Sequence, residues 1–395
     1  MTLQRSGALA AALLYEGYAL YPYRASSLKN RKRFDFGVVF PESWRGATGS
    51  EASSMRTECV VRTLEDPVRR DEAEAAAATV KVRFLQLVER TDGNTAPWHE
   101  AIEREVDVRC GLIARLGVVP ETTRFEFSAA DDCEGTVRRR RERLDGRVEV
   151  TVERDAPDVV RLAIVIVNTS PSAADTVDSR DEALLRGLVS THTLVEVEGA
   201  ELVSLVDPPE ALRASAARCK NVGTWPVLVG EPWERTAALS SPIILYDHPR
   251  VAPESPGDLF DATEIDEILT LRAQTLTDDE RREAIAGDVR VRAMLTRTTN
   301  LEDRDVARLH GVLRRGAPVA FRPGEHVRLA PKRRADVMDI ALSGKLATIV
   351  SIETDFEGRT YLAVTVDDDP GADLGVRGQP GHRFFFHADE VEPLS

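Results

Sequence analysis

Residues 79–90, TVKVRFLQLVER, decide the fold class. β-Branched and aromatic side chains dominate, and apolar residues alternate with charged ones before closing into a short apolar run, as in a strand. Working outward, TECVVRTL (57–64), RFEFS (124–128), RVEVTVER (147–154) and VVRLAIVIVN (159–168) repeat that character. No comparable helical stripe spans Arg56 to Leu205. The expected fold is α+β: a β-rich, antiparallel, sandwich-like body with helical elaborations, plus a C-terminal SH3-like small β-barrel. Its expected divisions are an N-terminal helix with an aromatic and basic segment (1–55), the body with its helical layer (56–319) and the barrel (320–395).

The clearest hairpin signal lies between Thr136 and Glu153, where Asp145-Gly146 is the dipeptide of a two-residue turn with positive φ. Counting from that turn sets Arg143, Arg141 and Arg139 opposite Val148, Val150 and Val152, with Arg140 diagonal to Glu149 and Glu153. Arg138 to Arg141 would then alternate between faces with acidic partners in reach. The run reads as a solvated hairpin and not as a nucleic-acid patch.

Helix signals follow. Ser179-x-x-Glu182 and Thr277-x-x-Glu280 are capping boxes, the second with Gly287 as its stop, and Asp207-Pro208-Pro209-Glu210 places proline in a first turn. Strands are expected at WPVLV (225–229) and within Thr236 to Tyr246, and a last helix over 301–313. From Phe321 to Leu394, four short strand-like stretches separated by turns give the barrel, and Lys332, Arg333 and Arg334 fall in its first long loop.

The 395 residues carry a net charge of −14, which argues against a general polyanion binder. Cys59, Cys110, Cys133 and Cys219 form no C-x-x-C pair, so the common zinc and iron–sulfur spacings are missing and a cytoplasmic home is the simplest. The apolar run 7–14 is interrupted by Glu16 and lacks an A-x-A site, so no export signal is read, and no stretch is long enough to span a bilayer.

Two stretches stand out as candidate contact surfaces. Tyr15, Tyr18, Tyr21 and Tyr23, four of the six tyrosines, fall within nine residues and precede Arg24, Lys29 and Arg31. Such a segment is either core filler with a solvated rim or a docking surface, because tyrosine and arginine are favoured interface anchors. The second stretch, 240–272, is acidic: an apolar run Pro242–Tyr246 read as a strand, then Asp247-His248-Pro249, Glu254, Asp258 and a helix capped at Asp261. The two have opposite character, so either they pack together or one of them meets a partner.

Asp247, His248, Glu254, Asp258 and Asp261 are suitable ligands for a divalent cation, but no spacing is specific, and a role for Asp247 and His248 in holding loop backbone is preferred. Asp367, Asp368, Asp369 and Asp373 lack the order of a calcium loop, and His382 and His387, around Phe384-Phe385-Phe386, read as edge residues. Neither a serine nucleophile elbow nor a phosphate-binding glycine loop occurs. No catalytic residue, metal site or cofactor is assigned.

Three segments, LLYEGYALYPYRASSLKN (13–30), SSPIILYDHPRVAPESPGDLFDATEIDEILTLR (240–272) and GHRFFFHADEVEPL (381–394), resemble a family of uncharacterised proteins encoded beside actinobacterial-type nickel–iron hydrogenases. The resemblance runs nearly end to end. It implies an accessory or assembly role, with a hydrogenase subunit or maturation factor as partner, and carries no catalytic residues. The expected function is therefore a non-catalytic accessory or scaffold protein acting through protein–protein contacts. The alternatives are a metal-dependent enzyme built on the Asp247/His248 loop and a nucleic-acid adaptor built on the barrel.

Overall fold

The computed structural model describes residues 9–20, 23–24, 26–27, 29–30, 33–44, 51–63, 76–92, 97–112, 116–117, 120–171, 179–251, 255, 257, 259–260, 266–301, 305, 309, 321–330, 342–354, 360–368, 383–387 and 390–393. The chain divides into two compact units, Met1–Leu309 and His310–Ser395. Leu9, Tyr15, Tyr18 and Phe40 are all buried in apolar clusters of the first unit.

Two antiparallel sheets build that unit. One has the order β10-β1-β8-β7-β4, where β1 is Ser54–Thr63, β4 Glu121–Phe127, β7 Leu144–Ala156, β8 Val159–Asn168 and β10 Ala200–Val203. The other runs β11-β12-β9-β2-β6-β5, with β3 also paired to β2. Its strands are β2 (Ala77–Thr91), β3 (Trp98–Gly111), β5 (Ala130–Glu134), β6 (Val137–Arg141), β9 (Val189–Glu198), β11 (Trp225–Leu228) and β12 (Ala237–Ser241). Val80, Val82 and Phe84 of β2 share one buried cluster with Val148 and Val150 of β7 and Leu162 and Ile164 of β8. The sheets therefore pack face to face, as a sandwich whose inner faces interdigitate.

The opposite face of β2 changes character along its length. Lys81 and Arg83 lie there first, then Leu85 and Leu87, which join a second cluster with the N-terminal tyrosines and three helices, α3 (Asp266–Gln274), α4 (Asp278–Gly287) and α5 (Val289–Thr299). Period-2 alternation thus serves the sandwich on one face and the helical layer on the other. Two shorter helices, α1 (Arg180–Leu184) and α2 (Arg213–Ala217), precede these. Ser179 caps α1, and Thr277 with Glu280 forms the full reciprocal box of α4, as expected.

Several expectations are corrected. Asp145-Gly146 is not a turn but lies inside β7, where Gly146 pairs with Phe125 on one side and Asn168 on the other. The turn that reverses the chain is Gly135-Thr136, with Gly135 at φ +62°. The arginines of β6 therefore face β2 and β5 and not β7, and their acids are Asp131 for Arg138, Glu100 for Arg139 and Glu142 for Arg140. Pro242–Tyr246 is not a strand: β12 ends at Ser241, because proline has no N–H for the ladder, and Ile244 and Tyr246 stand exposed. Strand β3 and helix α5 were not anticipated. Asp261 and most of 301–313 lie outside the described residues.

In the second unit, β13 (His326–Leu329), β14 (Leu346–Thr354), β15 (Thr360–Val366), β16 (Phe384–His387) and β17 (Val391–Pro393) form one antiparallel sheet of order β16-β15-β14-β13-β17. The last strand returns to pair with the first, Val391 opposite Leu329. Among the described residues β16 and β17 do not pair, so the expected closed barrel is an open five-stranded sheet here. Asp367 accepts from Thr348 and Asp368 pairs with Lys345, as at a solvated hairpin. Lys332, Arg333, Arg334, Asp369, Asp373 and His382 lie outside the described residues.

Candidate functional site

The tyrosine segment is core. Tyr15, Tyr18 and Tyr23 are buried, and the Tyr15 and Tyr18 rings pack on each other and on Phe260. The Gly17 amide donates to the Phe260 carbonyl at 2.9 Å, so the N-terminal stretch and the stretch after Asp247 pack together. Burial, helped by Asp288, pushes the Tyr18 phenol up out of any useful range. Docking through Tyr18 and Tyr23 is thereby corrected, since both rings are spent on the fold. Arg24 is held by Glu280 of α4 at 3.0 Å, Lys29 is exposed, and Tyr21 and Arg31 lie outside the described residues.

Behind this cluster, Arg33 is buried with its guanidinium 3.2 Å from the Trp98 ring centre, donating to the carbonyls of Tyr18 and His99. Burial lowers its pKa, an effect that Tyr18 and Asp288 oppose. This is structural cation–π packing in a desolvated place.

Asp247 and His248 have a specific job. β11 is the edge strand of its sheet, and its outward-facing residues are Pro226 and Leu228. Pro226 has no N–H. The Leu228 amide donates to Asp247 Oδ1 at 2.8 Å, and the Leu228 carbonyl accepts from the His248 amide at 2.7 Å. Asp247 Oδ2 accepts from Ser204. Both polar groups of Leu228 are thus taken, which hinders strand addition at this edge. The His248 backbone sits at φ +57°, a left-handed geometry that histidine tolerates better than most residues. The preferred reading of these two as holders of loop backbone agrees with this geometry. Glu254 and Asp258 lie outside the described residues, and among the described residues no three His, Cys, Asp or Glu side chains gather in a metal-holding group.

Around that edge cap, sequence reasoning missed a surface. Trp233 (76% exposed), Ile244 (74%) and Tyr246 (64%) are carried by segments tied together at Leu228, and Trp225, Val206 and Val251 are exposed on the same segments. Arg250 pairs with Glu231 at 2.8 Å, bringing the chain after the cap beside the turn that bears Trp233. Ser204 on Asp247 brings in the segment of Val206. The signal was present: Trp233 sits in EPWER, too polar a setting for a core tryptophan.

One arrangement resembles a catalytic dyad. The Ser241 hydroxyl donates to His192 Nε2 at 3.1 Å, while Nδ1–H donates to the Ser190 carbonyl at 2.7 Å. Both side chains are fully enclosed, however, and burial pushes His192 down to about 4. A substrate has no route to Ser241, so the pair is a buried polar seam. Two thiols are similarly inert: burial raises both Cys59 and Cys219, the latter to about 11.

Compared with known proteins, the sequence matches no family model, and no characterised protein is significantly similar to it.

Proposed function

We propose that the chain is a non-catalytic accessory or assembly protein that works through protein–protein contacts, with the surface around the β11 edge cap as its contact face. The observation that carries this is the exposure of Trp233, Ile244 and Tyr246 on segments joined at the β11 edge, where Asp247 and His248 take the polar groups of Leu228. Tryptophan and tyrosine dominate binding hot spots, and an exposed apolar cluster ringed by charge marks a contact site more often than an accident of folding. Taking up those groups directs the partner to side chains and hinders indiscriminate strand pairing.

The resemblance of segments 13–30, 240–272 and 381–394 to proteins encoded beside nickel–iron hydrogenases supports a hydrogenase subunit or one of its maturation factors as that partner, in the cytoplasm. The strand order of the second unit is compatible with an SH3-like barrel, an architecture suited to an adaptor.

The test is affinity purification of the tagged full-length chain from native cells grown with hydrogen. A hydrogenase subunit or maturation factor should co-purify, and the pair Trp233→Ser with Tyr246→Ser should abolish this while leaving the melting temperature nearly unchanged. Undiminished co-purification with the variant, or no such protein with the natural chain, would overturn the proposal.

A further inference from the structure

A cavity of about 450 Å³ opens where the α4–α5 junction meets the end of the second sheet. Its volume lies within the range of small-ligand sites. Four guanidinium groups line it: Arg90 from β2, Arg139 from β6, and Arg290 and Arg292 from α5. Two carboxylates join them, Glu100 from β3 and Asp288. Among the described residues four cations and two anions line it, and two further acids approach the arginines, Glu103 at 3.9 Å from Arg290 and Glu134 at 3.6 Å from Arg139.

The carboxylates are already committed. Asp288 Oδ1 accepts from the amides of Arg290 and Val291, and Oδ2 accepts from the Tyr18 hydroxyl and Trp98 Nε1. Glu100 accepts from Arg139 Nε at 2.9 Å. Two of the arginines are held by neutral groups: Arg90 Nη1 donates to the Gly287 carbonyl at 2.6 Å, and Arg292 donates to that of Ile285 through Nε and Nη2. Those bonds fix the guanidinium planes without neutralising their charge. Arg90 Nε is buried without a hydrogen bond, 3.8 Å from Glu100, and Arg290 lies 4.0 Å over the Tyr15 ring. A guanidinium has five N–H donors in a planar fork, so donors remain on each of these side chains for a further acceptor.

We infer that this cavity binds a compact oxyanion carrying two or more negative charges, of the phosphorylated-metabolite or polycarboxylate class. Converging forks match phosphate and carboxylate oxygens alike, and Arg90 and Arg292 spend their hydrogen bonds on neutral carbonyls. The wall is pre-organised, because β2, β3 and β6 hold three of the six charged groups in register: Arg90 opposite Arg139, and Val88 opposite Glu100. The ligand would bridge the sheet and the α4–α5 junction, tying the helical layer to the sandwich.

The test is isothermal titration of the full-length chain at low ionic strength, with pyrophosphate and citrate as separate probes. At least one should bind with 1:1 stoichiometry, and pyrophosphate alone or citrate alone identifies the phosphoryl or the polycarboxylate class. The variant Arg139→Gln with Arg290→Gln changes two half-exposed side chains and should weaken binding at least tenfold with little change in melting temperature. Should that variant unfold, Arg292→Gln alone takes its place, with the same expected direction. As a control, Arg138→Gln with Arg143→Gln removes the same charge from surface positions outside the cavity and should leave binding intact. Absence of binding by both probes, or equal weakening by the control pair, would overturn the inference.

Discussion

The Tyr18 hydroxyl donates to Asp288 Oδ2 at 2.7 Å, joining residues 270 positions apart in a buried site. Asp288 is also the cap of α5, where it accepts from Arg290 and Val291, and it takes the indole N–H of Trp98. One carboxylate therefore holds the N-terminal segment, β3 and α5 together. Asp288→Ala strands two buried donors and removes a cap, effects worth about 1–3 kcal/mol each for the donors and about 1 kcal/mol for the cap. Chemical denaturation should show a loss of more than about 3 kcal/mol, with Asp288→Asn losing clearly less because one acceptor oxygen survives. Equal losses for the two variants would contradict the role given to Asp288.

The pairing of Gly146 with Phe125 gives a separate check on the sandwich. A Cβ built on Gly146 would sit 2.2 Å from Phe125 Cζ, so Gly146→Ala should cost about 1–3 kcal/mol by overpacking. Phe125→Leu in the same chain should recover much of that loss, a coupling expected only of touching residues. Strictly additive losses would mean that Gly146 is not under the Phe125 ring.

Acid should destabilise the first unit through two histidines. Burial pushes His192 and His99 down to about 4, the second with help from Arg33 and Arg140. The unfolded chain takes up these protons near pH 6.5, whereas the folded chain excludes them until about 4, so stability is full above the upper value and falls as pH drops through this window. Each group contributes up to roughly 1.4 kcal/mol per pH unit there. Urea midpoints measured from pH 7.5 to 4.5 should fall, and His192→Gln should flatten the slope. An unchanged slope in that variant would contradict a neutral, enclosed His192.

The sandwich and its capped helices were legible in the sequence because each rests on a local signal. Alternation in 79–90 and the reciprocal Thr277 and Glu280 box are examples. The Asp145-Gly146 turn was misread because the preference for Asp-Gly is local, whereas Gly146 is there for the Phe125 ring, which lies about twenty positions away. Strand β3 was missed although Val106, Val108 and Cys110 alternate inward, because charged residues fill the other face. The tyrosine segment was ambiguous because burial of a tyrosine depends on what covers it, here Phe260 and Asp288 from far along the chain. The proposed contact face was less legible still, for its exposed residues lie on separate segments joined through Leu228 and Asp247.

The central claim is that partners meet the chain at the β11 edge surface. Hydrogen–deuterium exchange on the full-length chain, free and in complex with whatever protein co-purifies with it, tests it most directly. The account predicts slowed exchange in peptides covering 225–250 and unchanged exchange across the buried tyrosine segment 13–24. Protection confined to other regions, with 225–250 unaffected, would contradict it.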